Sequence, residues 1–388
     1  MMKKKVTVLG NGLVGSVMAL DLAADEGYEV TVCDARKDKL EETVLKSKGK
    51  IKGRSDVDFA SPASISAAVK GQDLVIGAVP GSLGYQMLGA VIRAGVDMSD
   101  ISFMGEDYRD WDAEAKKYGV TTFEDVGVAP GSSSVLIGYA CSRLDEVEDV
   151  TYYVTGLPTS PQEPYNYKLV FSPDDLVEEY VRPARTKKGG KIVSVPALSG
   201  CKAVDFKIPG LKLPKMEGFF TDGSRTLLDT IPSPNVTEYT LRYPGTAARM
   251  EFLREIGLFS LEPVKINGAN IRPRDVFAKL AYPRMELGKE ENEFTFYYVE
   301  VTGKKDGKRL QYQFSLYDEK DKETLYPSMS RTTGFPCVIV GKLIAEGVLN
   351  NPGVNPPEEV GKNAKAVEIF IDELKKRNVK IHQNVVEL

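Results

Sequence analysis

Residues 4–15, Lys-Lys-Val-Thr-Val-Leu-Gly-Asn-Gly-Leu-Val-Gly, decide the fold of this chain. The β-branched, apolar start predicts a buried strand over 4–9, and the last six residues carry the pattern G-x-G-x-x-G. A helical pattern follows over 14–26, and Asp34 closes the next predicted strand, 28–33. Strand, glycine turn, helix and acidic residue in this order predict a Rossmann-type dinucleotide-binding unit.

Each glycine of the turn has a separate physical reason. Gly10 permits the tight turn, Gly12 lets a pyrophosphate approach the backbone, and Gly15 allows close packing of helix on strand. The helix N-terminus offers free N–H groups and a partial positive charge to the phosphates. We therefore expect the cofactor to contact the remaining residues of the turn as well, Asn11, Leu13 and Val14.

Asp34 is expected to accept hydrogen bonds from the adenosine ribose, and a carboxylate there repels a 2′-phosphate, which favours NAD over NADP. Arg36 can pair with such a phosphate, so NADP stays open as the cofactor. The segment Gly77-Ala78-Val79-Pro80 ends a predicted strand, where ligands of this fold bind, although a plain Pro-Gly turn is the alternative. The other candidate cofactor contacts are Ala35, Asp58, Ala78, Val79 and Pro80.

Strands and helices alternate up to about residue 125, with further strands predicted near 56–59, 73–79, 101–104 and 121–125. This alternation predicts a doubly wound parallel sheet. From 150 to 330 alternating strands dominate, with a hairpin at Asp306-Gly307. The predicted class is α/β, a Rossmann sheet plus a second α+β domain with a mixed, mostly antiparallel sheet. The predicted domains are a dinucleotide-binding domain (1–130), a catalytic or substrate domain (131–330) and C-terminal helices (331–388).

The composition excludes several function classes. The net charge is −4 and 27% of the residues are charged, so neither nucleic-acid binding nor a disordered acidic tail is expected. No apolar run reaches the length of a membrane span. The four cysteines are scattered without a metal-ligand spacing, which is typical of a reducing cytoplasm. We expect a cytoplasmic protein with no membrane partner and no metal.

The segment 125–131, Asp-Val-Gly-Val-Ala-Pro-Gly, resembles the D-x-G-x-A-P-G segment of the saccharopine dehydrogenase-like superfamily, particularly of lysine 6-dehydrogenases. The resemblance covers essentially the whole chain. The other similar segments are 167–172, 240–245, 272–276, 329–333 and 347–377. It implies a C-terminal segment that packs back on the Rossmann domain, an amino-acid substrate, and a homodimer or higher homo-oligomer.

The resemblance also implies oxidation of a carbon that bears an amine, with lysine as first candidate. The lysine side-chain carbon would become an imine that water hydrolyses to 2-aminoadipate 6-semialdehyde and ammonia. Two positions depart from the lysine enzymes, because Glu106 and Thr246 stand where those carry histidine. A saccharopine- or carboxyspermidine-type dehydrogenase, which performs reductive condensation, is the alternative. A non-catalytic NAD-binding sensor is an alternative of another class.

The single histidine, His382, lies near the C-terminus, so carboxylates or tyrosines are the candidates for acid–base chemistry. Asp125 follows the last Rossmann strand and Glu106 follows the strand before it. A partly desolvated carboxylate at either place can act as a base. The alternatives are a capping role for Asp125 and a solvated loop charge for Glu106.

An amino-acid substrate carries a carboxylate, for which arginine is the expected partner. Arg242 lies in an apolar strand and Arg331 precedes a predicted helix start at Thr332-Thr333; a solvated surface position is the alternative for both. By resemblance, the loop 218–224 approaches the substrate. Its Thr221 and Asp222, together with Tyr167, complete the candidate set. Asp222 would bind an ammonium group, or belong to an ordinary Asp-Gly turn, and Tyr167 would otherwise be a core aromatic.

Overall fold

The computed structural model describes residues 3–288 and 290–388. The chain forms two compact units. The first unit extends to Arg143 and resumes over Met329–Ile381, and the second consists of Leu144–Ser328 and His382–Leu388.

The strands of the described residues are numbered along the chain. They are β1 (Lys4–Leu9), β2 (Tyr28–Cys33), β3 (Ile51–Arg54), β4 (Leu74–Gly77), β5 (Met98–Asp100), β6 (Thr121–Phe123), β7 (Glu146–Pro158), β8 (Ala184–Lys188), β9 (Lys191–Val195), β10 (Lys202–Val204), β11 (Met216–Phe219), β12 (Val236–Arg242), β13 (Val264–Ile266), β14 (Ala269–Ile271), β15 (Glu293–Lys305), β16 (Lys308–Glu319), β17 (Gly353–Asn355) and β18 (Ile381–Glu387).

The helices are numbered in the same way. They are α1 (Leu13–Ala24), α2 (Lys37–Lys46), α3 (Pro62–Val69), α4 (Gly81–Ala94), α5 (Asp112–Tyr118), α6 (Ser132–Arg143), α7 (Pro173–Val181), α8 (Leu227–Thr230), α9 (Thr246–Glu255), α10 (Pro273–Met285), α11 (Ser328–Ala345), α12 (Glu358–Gly361) and α13 (Ala364–Lys376), with a 3₁₀ turn over Tyr108–Trp111.

The first unit contains a parallel sheet in the order β3-β2-β1-β4-β5-β6-β17. β1 lies in its middle, and Val6, Val8 and Leu9 are fully buried, as expected of a parallel strand covered on both faces. Parallel strands direct their carboxyl ends to one edge of the sheet, so the segments after β1, β4, β5 and β6 meet there. The predicted Rossmann sheet is confirmed.

The second unit contains a mixed sheet in the order β10-β11-β12-β7-β15-β16-β18, and β8 and β9 join it beside β12. β12 and β7 are parallel, whereas the pairs β7–β15, β15–β16 and β11–β12 are antiparallel. The Asp306-Gly307 hairpin connects β15 and β16 as predicted, with positive φ angles of 50° and 76° at its two residues. The predicted mixed, mostly antiparallel sheet is confirmed.

Two strand predictions were wrong. The strand expected near 56–59 is β3 at Ile51–Arg54, which pairs with β2 despite its polar sequence. The strand expected at 101–104 is β5 at Met98–Asp100. Ile101–Met104 is apolar but leaves the sheet, because Ser102 turns its hydroxyl to the Val79 carbonyl at 3.0 Å and its own carbonyl accepts the Met104 N–H.

Within the first unit, α13 is tied to α1 by an ion pair. The Arg377 guanidinium donates to both Asp21 carboxylate oxygens at 2.9–3.0 Å, and each side chain is 14% exposed. Burial raises the pKa of Asp21, although Arg377 opposes this shift. Removal of the arginine alone would therefore leave a buried carboxyl group without its main partner.

We predict that Arg377→Met lowers the free energy of unfolding by roughly 3 kcal/mol, since one partner of a largely buried pair is lost. Urea denaturation measures this change. Lys376→Met is the matched control, because it breaks an exposed pair with Glu373 in the same helical turn and should leave the unfolding curve nearly unchanged. Equal destabilisation by both variants would contradict the prediction.

Candidate functional site

The glycine turn between β1 and α1 is built by close backbone contacts. Gly10 has a φ of 103°, and a Cβ on it would lie 2.3 Å from the Ala78 carbonyl oxygen. A Cβ on Gly15 would lie 2.2 Å from the Gly10 carbonyl oxygen. Both positions are thus restricted to glycine by the chain itself. A Cβ on Gly12 would meet no atom closer than Arg36 Nη2 at 4.0 Å, so the space above Gly12 fits a pyrophosphate.

Asp34 closes β2 beside this turn. Its carboxylate accepts the Asn11 N–H at 2.7 Å and the Arg36 N–H at 2.8 Å, and it pairs with the Arg36 guanidinium at 3.0 and 3.1 Å. Burial alone would raise the pKa of Asp34, but these hydrogen bonds hold it below its ordinary value. Asp34 is therefore ionised at neutral pH, and Arg36 lies against it with an exposed side chain. The structure places both predicted selectivity residues together.

The remaining predicted cofactor residues lie around the same sheet edge. The Ala78 N–H donates to the Leu9 carbonyl at 2.8 Å, and the Val79 carbonyl accepts the Ser102 hydroxyl. Asp58 is exposed, and its carboxylate accepts the Ala60 N–H at 2.9 Å. Contact of these residues with the cofactor stays a prediction, as it does for Leu13, Val14, Ala35 and Pro80.

Three carboxyl groups meet where β5 and β6 end. Asp125 is 2% exposed and has a φ of 59°, a left-handed conformation that asparagine and aspartate adopt more readily than other side chains. Asp100 and Glu124 are fully buried beside it, and neither was singled out from the sequence. Burial raises the pKa of Asp100 to about 6 and that of Glu124 well above its ordinary value.

The two predicted catalytic carboxylates have different surroundings. Asp125 belongs to the buried group at the sheet edge, whereas Glu106 is exposed in the loop after β5. The position of Glu106 is that of a solvated loop charge. The base roles of both residues stay predictions, and the geometry favours Asp125.

In the second unit, Arg242 and Tyr167 lie together in the core. Arg242 is 2% exposed, so the alternative of a solvated surface position is wrong. Its guanidinium pairs with Glu179, donates to the Leu241 carbonyl at 2.9 Å and lies 4.8 Å from the centre of the Tyr167 ring. The buried charge is thus compensated within the chain. Tyr167 is 1% exposed, as expected of a core aromatic.

The loop 218–224 lies against the face of the sheet that carries Arg242 and Thr240. Thr221 and Thr240 share a hydrogen bond of 2.8 Å between their hydroxyls, and Thr240 lies two residues before Arg242 on β12. Asp222 is neither free for an ammonium group nor part of a simple turn, because it forms a bidentate pair with Arg185 at 2.8 and 3.1 Å. The four predicted substrate residues of this unit therefore lie in one region.

Glu238 is the residue of this region that sequence reasoning missed. It lies on β12 between Val236 and Thr240, is 4% exposed, and would contact a Cβ on Gly223 at 2.3 Å. Burial, followed by the charges of Glu179 and Asp222, raises its pKa well above the ordinary value. This environment favours the protonated form of Glu238. Its alternation with Tyr239 on the strand was the available signal, since it places Glu238 on the covered face.

Arg331 belongs to the first unit, whereas the other predicted substrate residues belong to the second. The helix start predicted at Thr332 was wrong, because α11 begins at Ser328 and includes Arg331 in its first turn. Arg331 is 3% exposed, which also overturns the surface alternative, and its Nη2 donates to the Arg377 carbonyl at 3.0 Å. Its substrate role stays a prediction.

The described residues contain neither a metal-type cluster of side chains nor a membrane-spanning helix. No group of three or more histidine, cysteine or acidic side chains there has the arrangement of a metal site. No helix in the same residues is long and apolar enough to cross a bilayer.

We predict that Gly12→Ala folds normally but binds the cofactor at least about tenfold more weakly, because its methyl group occupies the space left for the phosphates. Titration of NADH and NADPH fluorescence measures the dissociation constants, and a thermal melt checks the fold. Gly105→Ala is the matched control, since position 105 has open space and lies outside the turn. Unchanged affinity in Gly12→Ala would contradict this site.

Family models match both parts of the chain. Residues 6–123 match the saccharopine dehydrogenase NADP binding domain, and residues 127–379 match the saccharopine dehydrogenase C-terminal domain. The expectation of an NAD(P) cofactor is thereby confirmed.

The chain spans different shares of the length of two relatives. Alpha-aminoadipic semialdehyde synthase of Bos taurus is 29% identical over 66% of this chain, and the chain spans 29% of the length of that relative. Saccharopine dehydrogenase [NADP(+), L-glutamate-forming] of Pyricularia oryzae is 22% identical over 97% of this chain and 98% of its own length.

Solved structures show the same fold. Apo saccharopine dehydrogenase (L-Glu forming) from Saccharomyces cerevisiae aligns with a TM-score of 0.79 at 20% identity, covering 99% of this chain and 100% of that one. Homospermidine synthase from Legionella pneumophila in complex with NAD aligns with a TM-score of 0.66 at 14% identity, covering 99% and 92%. The fold and the matches of both family models show that this chain belongs to the saccharopine dehydrogenase family of NAD(P)-dependent oxidoreductases.

Proposed function

We propose that the chain catalyses the NAD(P)-dependent oxidation of a saccharopine-type secondary amine, releasing glutamate. The observation that carries the proposal is the relation to the glutamate-forming enzyme of Pyricularia oryzae over 97% of this chain and 98% of that protein. The proposal selects the saccharopine-type alternative over oxidation of free lysine. It concerns the substrate, since the class of enzyme follows from the family.

The names of the relatives indicate which carbon is oxidised. If glutamate leaves as the amine and α-aminoadipic semialdehyde is the other product, the oxidised carbon is the side-chain carbon that becomes the aldehyde. When bound, the nicotinamide accepts a hydride from that carbon. The nitrogen loses a proton, an imine forms, and water cleaves the imine to glutamate and the aldehyde. Free lysine would be oxidised at the same carbon and would release ammonia instead.

Asp125 is the proposed proton acceptor. It lies two residues after the end of β6, at the sheet edge that faces the ligand in Rossmann units. Its left-handed backbone conformation is held between two neighbouring buried carboxyl groups, and such conformations concentrate at functional sites. With His382 as the single histidine, a carboxylate is the fitting group for this step.

The second unit supplies the proposed substrate contacts. The covered face of the sheet carries a polar region that consists of Arg242, Tyr167, Thr221 and Glu238. The Tyr167 hydroxyl and Glu238 Oε2 are buried and have no hydrogen-bond partner among the described residues. Buried polar groups of this kind are normally satisfied, so a polar substrate group or water is the expected partner.

The substitution of two histidines supports the secondary amine over lysine. Thr246 is fully buried at the start of α9, and Glu106 is exposed, so neither supplies the imidazole that the lysine enzymes carry at those places. Oxidation of free lysine is the second candidate. Lysine differs from saccharopine in the group that the side-chain nitrogen carries.

We predict that the purified chain reduces NADP or NAD with saccharopine and forms glutamate, with little reduction by lysine, ornithine or polyamines. Absorbance of the reduced nicotinamide gives the rate, and mass spectrometry identifies the product. Ammonia release from lysine at a higher kcat/KM would contradict the proposal in favour of a lysine 6-dehydrogenase. Cofactor binding without turnover of any amine would favour a non-catalytic sensor.

Asp125→Asn is predicted to lower kcat for saccharopine by about a hundredfold or more, while cofactor affinity is retained, because the proton acceptor is lost. Glu106→Gln is the matched comparison at the other candidate carboxylate and should lower kcat far less. Wild-type turnover in Asp125→Asn would contradict the assignment of the base.

Cofactor preference depends on Asp34. Asp34→Ser removes the carboxylate that repels a 2′-phosphate and releases Arg36, so the affinity ratio should shift toward NADP by at least about tenfold. Fluorescence titration with NADH and NADPH measures the ratio. Asp38→Ser, at an exposed position in the first turn of α2, is the control. An unchanged ratio would mean that Asp34 does not face the ribose.

A further inference from the structure

Asp100 and Glu124 form a buried carboxyl pair at the ends of β5 and β6. Both residues are fully buried, and Asp100 Oδ1 accepts the Ser102 hydroxyl at 2.9 Å. A Cβ at Gly77 on the neighbouring strand would lie 2.1 Å from the same oxygen. The sheet thus leaves room for the Asp100 carboxyl group only because residue 77 is glycine.

Three of the four carboxyl oxygens of the pair lack a hydrogen-bond donor in the part of the chain that the structure describes. Asp100 Oδ2 and both Glu124 carboxyl oxygens are buried, and no donor of the described residues reaches them in hydrogen-bonding geometry. Two ionised carboxylates would repel each other strongly here. One proton held between them supplies the missing donor and removes one of the charges.

The pKa values of the two carboxyl groups agree with one shared proton. Burial raises the pKa of Asp100 to about 6, and burial followed by the Asp100 charge raises that of Glu124 well above its ordinary value. Both raised pKa values favour retention of one proton by the pair. The other titratable groups that face it are Asp125 and the Cys337 thiol of α11, whose pKa burial raises strongly, so the thiol stays neutral.

Backbone hydrogen bonds of Glu124 and Val126 flank Asp125. The Glu124 N–H donates to the Asn355 carbonyl at 3.1 Å, and the Val126 N–H donates to the Asp100 carbonyl at 2.8 Å. These bonds hold the backbone before and after Asp125. The charge of Asp125 acts on both carboxyl groups of the pair, and the charge of the pair acts on Asp125 in return.

We propose that Asp100 and Glu124 share one proton and act as positioning residues for Asp125, with their single negative charge increasing the proton affinity of the Asp125 carboxylate. This role rests on the proposed function of Asp125. The proton of the pair does not leave during the reaction. Acidification adds a second proton to the pair and removes its charge, so the effect on Asp125 is lost at low pH.

Infrared difference spectra test the shared proton without any substrate. The carbonyl stretch of a protonated carboxyl group should be present in the wild type at neutral pH and absent from Glu124→Gln, because the amide then donates to an ionised Asp100. Glu238 is another buried carboxyl group with a raised pKa, so the wild-type minus variant spectrum is the quantity to read. The same band retained in both Glu124→Gln and Asp100→Asn would overturn the pair.

The pH profile of kcat/KM for saccharopine tests the effect on Asp125. The double variant Asp100→Asn with Glu124→Gln removes the negative charge, so the acid limb should move about one pH unit lower. Asp97→Asn is the matched control, because Asp97 is a partly buried carboxyl group at the opposite end of β5. An acid limb in the folded double variant that coincides with the wild type would overturn the positioning role.

The two proposals fail in different ways. Wild-type turnover in Asp125→Asn would remove the base assignment, and with it the positioning role, even when the infrared band identifies the pair. A shifted limb in the double variant supports the pair and Asp125 together. If the double variant does not fold, Glu124→Gln alone tests the pair. Loss of the infrared band, with an acid limb like that of the wild type, supports a pair that keeps one negative charge. A retained band overturns the shared proton.

Discussion

The first unit depends on the close approach of backbone and side chain at the carboxyl ends of β1 and β4. A side chain at Gly10 would strike the Ala78 carbonyl, one at Gly15 would strike Gly10, and one at Gly77 would strike the Asp100 carboxyl group, each within 2.3 Å. These three glycines allow adjacent strands and α1 to meet without a gap. The cofactor turn and the carboxyl pair are therefore two results of one packing constraint at the same sheet edge.

Buried charge in this chain is compensated in two ways. Arg242 and Asp21 have the counter-ions Glu179 and Arg377, and Arg185 holds Asp222. Asp100 and Glu124 have no hydrogen-bonding cation among the described residues, so a shared proton is the proposed compensation. An ion pair fixes a charge permanently, whereas a proton-sharing pair keeps one charge whose presence depends on pH. The second arrangement is suited to a position beside a catalytic base.

Local sequence patterns were sufficient to predict the Rossmann unit and the family resemblance. The turn 10–15, Asp34 and the alternation of strands and helices predicted the Rossmann unit, and the segment 125–131 led to the family. Local patterns do not encode which polar residue a neighbouring strand covers. Asp100 and Glu124 therefore escaped notice, and a surface position stayed open as the alternative for Arg331 although α11 buries it. The 101–104 error has the same origin, because hydrophobicity reports burial and not strand pairing.

The central claim is that the oxidised carbon is the one that becomes the aldehyde when glutamate leaves. Saccharopine labelled with deuterium at the terminal side-chain carbon of its lysyl part tests this directly. Mass spectrometry of the reduced nicotinamide should then show transferred deuterium, and a label on the α-carbon of the glutamyl part should remain in the glutamate product. Transfer from the glutamyl carbon, or an unlabelled reduced cofactor from the first substrate, would contradict the account.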